Sequence, residues 1–299
     1  MFKISSMPDN SFDSEKKQFI KFLVDTGGPE LQDYEKFINI VNNLDHKYLD
    51  EFRNIIGPIL NINTLIGHGY TKPFGYPGDF SLIDLIYSFH INENNKYRNW
   101  DVFFQNQQGA IAVRNRKEYF LDKCKELVAK SHGEKKVLIL GSGPATDVNE
   151  FLNSYTGNDI SFDLVDFDQQ AIVYSSNKNK EFEKKVSYFR VNVLRFEPYK
   201  MYDLIWSAGL FDYFKDKHFI YLVGKYVHYL RAGGEFVIGN FSPENPTKIL
   251  MQVLSDWYLN YRDRQDLLEI ARVSGLVNGR VSIDAEALEV NLFLKIKGG

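Results

Sequence analysis

Gly141 and Gly143 follow the apolar run Val137 to Leu140, and a helical pattern begins directly after Pro144 and Ala145. Glycines at that spacing give a tight turn and bare backbone that a ligand can approach, while the helix behind them aims its free N–H groups at the ligand. Gly141, Ser142, Gly143 and Pro144 therefore read as a nucleotide-binding loop. Thr146 stands where a dinucleotide fingerprint has its third glycine, which disfavours a nicotinamide cofactor. Two glycines alone are weak evidence, so the residues in register behind them matter. Ile160 to Val165 reads as a second strand and delivers Asp166 about twenty residues after the glycines, where a carboxylate accepts both ribose hydroxyls. Taken singly, Asp166 has a lesser alternative reading as a solvated acid at a strand end. Phe167 follows it, and Asp168 opens the next helix as its N-cap. A third run, Val186 to Val191, ends in Asn192 and Val193, suited to flank an adenine ring. A fourth, Asp203 to Ser207, opens into Ala208, Gly209, Leu210, Phe211, Asp212 and Tyr213. Leu230 to Gly234 reads as a helix end and glycine turn before a fifth strand ending at Ile238, with a Gly239 turn at its carboxyl end.

Three further groups carry polar chemistry. Gly67 to Asp79 holds glycines, prolines, Tyr70, Lys72 and Tyr76 in a stretch that predicts a shaped loop rather than a helix, with Asp79 capping the helix that follows. The loop reads as a lid that points Tyr70, Lys72 and Tyr76 into a site, or as a connector stitched by its prolines. Arg114 and Arg116 stand near the start of a long helix, where a guanidinium fork to a carboxylate or a solvated ion pair are both open. Trp257 and Tyr258, with Arg262 shortly after, fall late in a helical stretch and line an acceptor pocket or simply pack. The pattern offers no fixed His-acid pair.

The elements that must position these residues divide near residue 134. Before it, Leu31, Tyr34, Phe37, Ile38, Val41 and Leu44 recur at helical spacing, as do Leu49, Phe52, Ile55, Ile56 and Ile59. A helix from about Gly109 to Lys130 leads into the first strand. The expected organisation is an N-terminal helical cap over 1–133, containing the lid at 67–79, and a ligand-binding α/β domain over 134–299. Strand and helix patterns alternate after 134, which implies right-handed crossovers and a parallel sheet. Two strand-like runs, Gly279 to Ile283 and Leu288 to Ile296, form a hairpin that completes seven strands with one antiparallel.

Composition is consistent with this. The 299 residues, 44% of them hydrophobic, suffice for an α/β domain and an appended part. A net charge of −3 with mixed signs argues against a nucleic-acid partner. The lone Cys124, on an apolar helix face, reads as packing and provides neither a disulfide nor a metal pattern. No apolar run reaches about 18 residues and the N-terminus has no signal-peptide pattern, so the expectation is a cytoplasmic protein without a membrane span. The 18 tyrosines and 24 phenylalanines suggest an aromatic-lined cavity, although most will be core.

The five units around Gly141/Gly143, Asp166 and Leu230 to Gly234 resemble the class I S-adenosylmethionine (SAM) dependent methyltransferases. Ala232 replaces the usual proline, and Leu140 occupies a position that is often acidic. A narrower resemblance rests on Lys72-Pro-Phe-Gly-Tyr-Pro-Gly-Asp79, Ala112-Val-Arg-Asn-Arg116, Trp206 to Tyr213, Ile238 to Phe241 and Asp256-Trp257 with Arg262. It is to a bacterial family that includes methyl ester synthases of 3-hydroxy fatty acids in quorum signalling, and it runs from about residue 60 to the end. Pro77 and Phe74 depart from that family's lid pattern. The resemblance implies a Rossmann-like seven-stranded methyltransferase sheet with an N-terminal helical cap. It implies SAM as cofactor and S-adenosylhomocysteine (SAH) as product, with Arg114, Gly141, Ser142, Gly143, Pro144, Asp166, Phe167, Asn192, Val193, Ser207, Ala208 and Gly209 binding it. Tyr70, Tyr76, Tyr213, Trp257, Tyr258 and Arg262 are the expected catalytic residues, acting on a small-molecule acceptor between the helical part and the sheet. A homodimer is compatible with this expectation.

Methyl transfer from a sulfonium is an in-line displacement, so the protein aligns the partners and excludes water. A carboxylate acceptor is already ionised and needs no base; an amine or alcohol must lose a proton, for which His68, Tyr76 or Tyr213 would serve. The expected reaction is methylation of a hydroxylated fatty acid's carboxylate. The alternatives are N- or O-methylation of an amine or phenol, and a SAM-binding protein without turnover. A nicotinamide oxidoreductase is opposed by Thr146 and the terminal hairpin. A nucleic-acid methyltransferase is opposed by Ser207 to Phe211, which lacks the acidic-Pro-Pro-aromatic run.

Overall fold

A computed structural model describes residues 12–129, 133–276 and 279–299. The extreme N-terminus and Lys130, the expected end of the long helix, lie outside the described residues. Seven strands form one sheet: β1 (Lys135–Leu140), β2 (Ile160–Asp166), β3 (Val186–Arg190), β4 (Tyr202–Ser207), β5 (Leu230–Phe241), β6 (Val281–Ala285) and β7 (Asn291–Lys297). Their order is β3-β2-β1-β4-β5-β7-β6. Strands β1 to β5 pair in parallel, and β7 runs antiparallel to β5 and to β6. The expected hairpin with one antiparallel strand is therefore present. The order reverses between β1 and β4, and the crevice beyond their carboxyl ends is where open α/β sheets hold ligands.

The chain forms two compact units, Met1–Ala110 with Pro246–Tyr258, and Ile111–Asn245 with Leu259–Gly299. The division falls earlier than the expected boundary near 134. Phe120, Leu121 and Cys124 of the long helix α7 (Gln108–Ala129) are buried in the sheet's own core, which draws most of that helix into the second unit. Cys124 is packing, as expected.

Alternation along the strands builds two cores. Val137, Ile139, Leu204, Trp206 and Val237 face α7 and α8 (Thr146–Ser154). Leu138, Leu140, Ile205, Phe236 and Ile238 face α10 (Asp216–Tyr226) and α12 (Arg264–Val273). Crossover helix α9 (Gln169–Lys178) starts at Asp168, whose side chain caps Gln170 N–H at 2.8 Å, as expected.

Strand β5 corrects two expectations. Leu230 to Gly234 is not a turn before the strand but its first part, because a register shift between Tyr202 and Leu204 absorbs the glycines without breaking the pairing. Gly239 is not a terminal turn either, since β5 continues to Phe241. A Cβ at Gly239 would lie 2.3 Å from the Ala208 carbonyl oxygen, so the residue is glycine because the chain beyond β4 passes against it.

The first unit has its own core from α1 (Ser14–Thr26), α2 (Tyr34–Asn42), α3 (Leu49–Ile56), α6 (Asn95–Gln105) and α11 (Lys248–Ser255), including Phe37, Phe52, Trp100, Phe103, Leu250 and Leu254. Gly67 to Asp79 is only partly a loop. Residues up to Thr71 belong to helix α4 (Leu65–Thr71), capped by Thr64 Oγ1 accepting from Gly67 N–H at 2.8 Å. Gly67 does not break this helix; a Cβ there would sit 2.1 Å from the Asn61 carbonyl oxygen, so the glycine permits close packing. Asp79 caps α5 (Phe80–Tyr87), as expected.

Gly239→Ala forces backbone apart at the β4–β5 edge. We expect it to lower stability by about 1–3 kcal/mol, read as a lower urea midpoint with an unchanged denaturant slope.

Candidate functional site

In the second unit the expected cofactor residues converge on the carboxyl ends of β1, β2 and β4. Gly141, Gly143 and Ala145 all have positive φ (69°, 53° and 49°), so the chain folds back on itself between β1 and α8. Gly141 and Ser142 N–H groups donate to Val165 O at 2.8 and 3.1 Å, which anchors the loop to β2. Asp166 is 7% exposed; its Oδ2 accepts from Gly143 N–H at 2.9 Å and its Oδ1 from Asp168 N–H at 3.0 Å. Burial raises its carboxyl above the usual range, and these amides oppose the rise. Phe167 beside it is largely exposed and Asn192 lies exposed beyond β3. Pro144 is buried, and Ala208 and Gly209 are half-buried beyond β4.

Two expected contacts are used internally. The Ser207 hydroxyl donates to Leu140 O at 2.8 Å, tying β4 to β1. Val193 packs in the core and its carbonyl accepts from Tyr226 Oη at 2.7 Å.

Of the two arginines on α7, Arg116 is the buried one, at 5% exposure, whereas Arg114 is half-buried. Burial lowers the Arg114 pKa. The Arg116 Nε has no hydrogen-bond partner among the described residues, and neither does the buried Ser142 Oγ. A Cβ at Gly209 would lie 2.7 Å from Arg116 Nη1, so the guanidinium lies against the bare backbone after β4. The sequence held the signal: Ala112, Arg116, Phe120 and Cys124 share one face at i+4 spacing, and all four are buried.

Two buried acids missed in the sequence lie within reach of this guanidinium's charge. Asp147, in the first turn of α8, and Asp212, after β4, are 7% and 1% exposed. Burial pushes each carboxyl up to about 6, against the opposing charge of Arg116. Asp212 Oδ1 accepts from Phe241 N–H at 2.7 Å. Tyr261 is kept protonated by burial and by the charge of Asp212.

Among the expected catalytic residues, Tyr213 is 38% exposed beyond β4. Arg262 must be corrected. Its Nε and Nη2 donate to Asp216 Oδ1 at 3.0 and 2.8 Å, its Nη1 to Asn240 Oδ1 at 2.8 Å, and its Nη2 also to Phe214 O. Those donors join β5, the loop after β4 and α10, so Arg262 holds this corner together rather than an acceptor's charge.

Tyr70, Tyr76, Trp257 and Tyr258 belong to the first unit. Tyr70 lies under the Arg53 guanidinium, 5.2 Å from ring centroid, and Tyr76 is half-buried. Trp257 and Tyr258 are not helical, because α11 ends at Ser255 and Asp256 turns left-handed at φ 49°. Trp257 is buried and Tyr258 is 56% exposed. Lys72 Nζ meets Asp256 Oδ2 at 2.6 Å, so its charge is already paired. The absence of a His-acid pair is also corrected: buried His68 Nε2 lies 3.0 and 2.9 Å from the two carboxylate oxygens of Asp79. Only the packing of α4 on α5 brings these two residues together.

No family model matches the chain, and no curated protein matches it. Among solved structures, it is similar to a possible exported protein from Bordetella parapertussis at 13% identity, covering 96% of this chain and 99% of that one with a TM-score of 0.65. It is similar to the CurJ carbon methyltransferase at 13% identity, with coverages of 96% and 72% and a TM-score of 0.56. A third likeness is to the magnesium protoporphyrin IX methyltransferase of Synechocystis PCC 6803 with bound SAH, at 10% identity, coverages of 65% and 89% and a TM-score of 0.50. The fold is thus the Rossmann-like methyltransferase fold with added N-terminal helices. No helix among the described residues is long and apolar enough to cross a membrane.

The buried acids make stability depend on pH. Their folded-state pKa values of about 6 lie above the ordinary 3.8, so their contribution is full below 3.8 and is lost as pH rises through about 6. Asp147→Asn and Asp212→Asn keep the backbone hydrogen bonds and remove this loss. From about pH 4 to pH 7, urea unfolding should show each variant gaining stability relative to the parent, by on the order of 1–3 kcal/mol.

Proposed function

We propose that the chain is a SAM-dependent methyltransferase acting on a small molecule. The observation that carries this reading is the buried Arg116 guanidinium, with an unpartnered Nε, lying against the bare backbone of Gly209 after β4. An adenosyl amino acid presents the complementary groups: ribose hydroxyls for Asp166, a carboxylate for Arg116, and an adenine face for Phe167 and Asn192. Asp166 fits the ribose because each of its oxygens retains acceptor capacity beyond the one amide it receives. The Ser142 hydroxyl and the backbone of Gly141 to Pro144 complete the cradle, and Arg114, two residues before Arg116 on α7, is a further candidate contact.

The cofactor supplies an activated methyl group on a sulfonium. The residues of this chain bind it, orient it and exclude water from the carboxyl edge of the sheet. The acceptor in this reading is the carboxylate of a hydroxylated fatty acid, as the narrower sequence resemblance suggests. Tyr213, on the second unit, is its candidate contact. A second reading, methylation of an amine or phenol, is favoured by the acids Asp147 and Asp212, whose raised pKa suits them to take a proton near neutral pH. Cytoplasmic location and a homodimer belong to the same proposal.

Calorimetry with SAH tests the cofactor reading. Arg116→Met and Asp166→Ala should each weaken binding by about 1–3 kcal/mol while the circular dichroism spectrum stays unchanged. Unchanged affinity in folded variants sinks these assignments. Labelled SAM offered with a panel of 3-hydroxy fatty acids, amines and phenols separates the acceptors: a base-labile methyl ester supports the carboxylate, and label only in amines or phenols supports the second reading. Binding without transfer to any acceptor supports a non-catalytic SAM-binding protein.

A further inference from the structure

We propose that the outer face of α10 is a docking surface for a second copy of this chain, with Tyr221 of each copy seated in a groove that Gly224 opens in the other. This surface belongs to the homodimer of the preceding reading and depends on neither the cofactor nor the acceptor.

Gly224 is a glycine that the fold itself does not require. It lies inside α10, where glycine weakens a helix relative to alanine. A Cβ there would meet nothing within 4 Å outside its own stretch of helix, among the described residues. Neither backbone conformation nor internal packing accounts for it. What the missing side chain creates is a notch in the helix surface. A groove of about 440 Å³ opens at this point, and its lining includes Glu197, Tyr221, Gly224, Lys225, Val273 and Ser274. The Ser274 hydroxyl donates to Ile220 O at 3.3 Å, which holds the end of α12 and the half-exposed Val273 alongside α10. Glu197 reaches the groove from the loop after β3 and pairs with Lys225 Nζ at 2.8 Å.

The lining selects the occupant. Gly224 and Val273 are apolar, while Glu197, Lys225 and Ser274 carry polar atoms, which suits a phenol ring with an apolar body and a polar tip. Tyr221 is such a group. It is 52% exposed and stands three residues before Gly224, on the same face of the helix. When two copies of α10 pack antiparallel about a two-fold axis midway between Leu222 and Val223, Tyr221 of each comes level with Gly224 of the other. One contact is thereby made twice, as an isologous interface demands. The absent Cβ lets the two helices approach closely enough for the ring to seat. The same axis brings the exposed Lys217 level with the exposed His228 of the other copy. Glu197, which meets Lys225 and Tyr229, stands at that level and offers Lys217 an opposite charge.

Sedimentation velocity of the full chain from about 1 to 100 µM should show a reversible monomer–dimer equilibrium. Gly224→Arg fills the notch and Tyr221→Ser removes its occupant, so each should raise the dimer dissociation constant about tenfold or more. Gly224→Arg should leave the thermal midpoint of the dilute monomer unchanged or higher, because arginine is the better helix former. Tyr221→Gly combined with Gly224→Tyr exchanges knob and notch but keeps them level across the same axis, and should restore dimerisation relative to Gly224→Tyr alone. No recovery in the exchanged protein overturns the Tyr221–Gly224 register. A dimer that tolerates Gly224→Arg and Tyr221→Ser overturns this surface and leaves the homodimer standing. A chain that stays monomeric up to about 100 µM overturns both, and binding of SAH by that monomer leaves the cofactor reading intact. Because Tyr221 is exposed and Gly224 has open space beside it, either single variant decides the matter if the other fails to fold.

Discussion

A guanidinium buried at the edge of a parallel sheet sets the terms for everything around it. Arg116 is carried there by the apolar face of α7, because the same i+4 row also brings Ala112, Phe120 and Cys124 into the core. Its charge is out of water, and the buried acids Asp147, on the helix after β1, and Asp212, in the loop after β4, are each shifted by it. The space it occupies fixes Gly209, and the acid that answers it fixes the amide of Phe241 at the end of β5. A charge left without a partner in so dry a place costs more than most packing defects.

The second buried guanidinium has the opposite character. Arg262 shares its donors among Asp216, Asn240 and the carbonyl of Phe214, and its flat face lies 4.9 Å from the Phe219 ring centroid. Such a fork, matched on its several sides, is a structural joint between β5, the loop after β4 and α10. The contrast between Arg262 and Arg116 is one of partnership. The first has no capacity left for a ligand, and the second retains an unpartnered Nε.

The first unit solves a different problem, that of holding a glycine- and proline-rich segment in one shape. Cap hydrogen bonds at Thr64 and Asp79 start α4 and α5, and His68 joins the two by meeting the same Asp79 carboxylate. Lys72 and Asp256 then link two left-handed helix ends that are far apart in the chain. Each link is local chemistry, but their partners are brought together only by packing of the helical core.

The sequence by itself determined the strand order of chemistry. Short apolar runs, glycines at 141 and 143, an acid at 166 and a terminal hairpin suffice for the seven-stranded sheet, because these signals are local and follow from backbone sterics. Helix caps at Asp79 and Asp168 were legible for the same reason. Tertiary structure decided which polar groups are dry. Arg116 rather than Arg114, the acids Asp147 and Asp212, the pairing of His68 with Asp79 and the internal use of Ser207 and Arg262 all depend on residues distant in the chain. Burial and partnership are properties of the packed molecule, and a side chain's charge, proton affinity and freedom to bind are set by them.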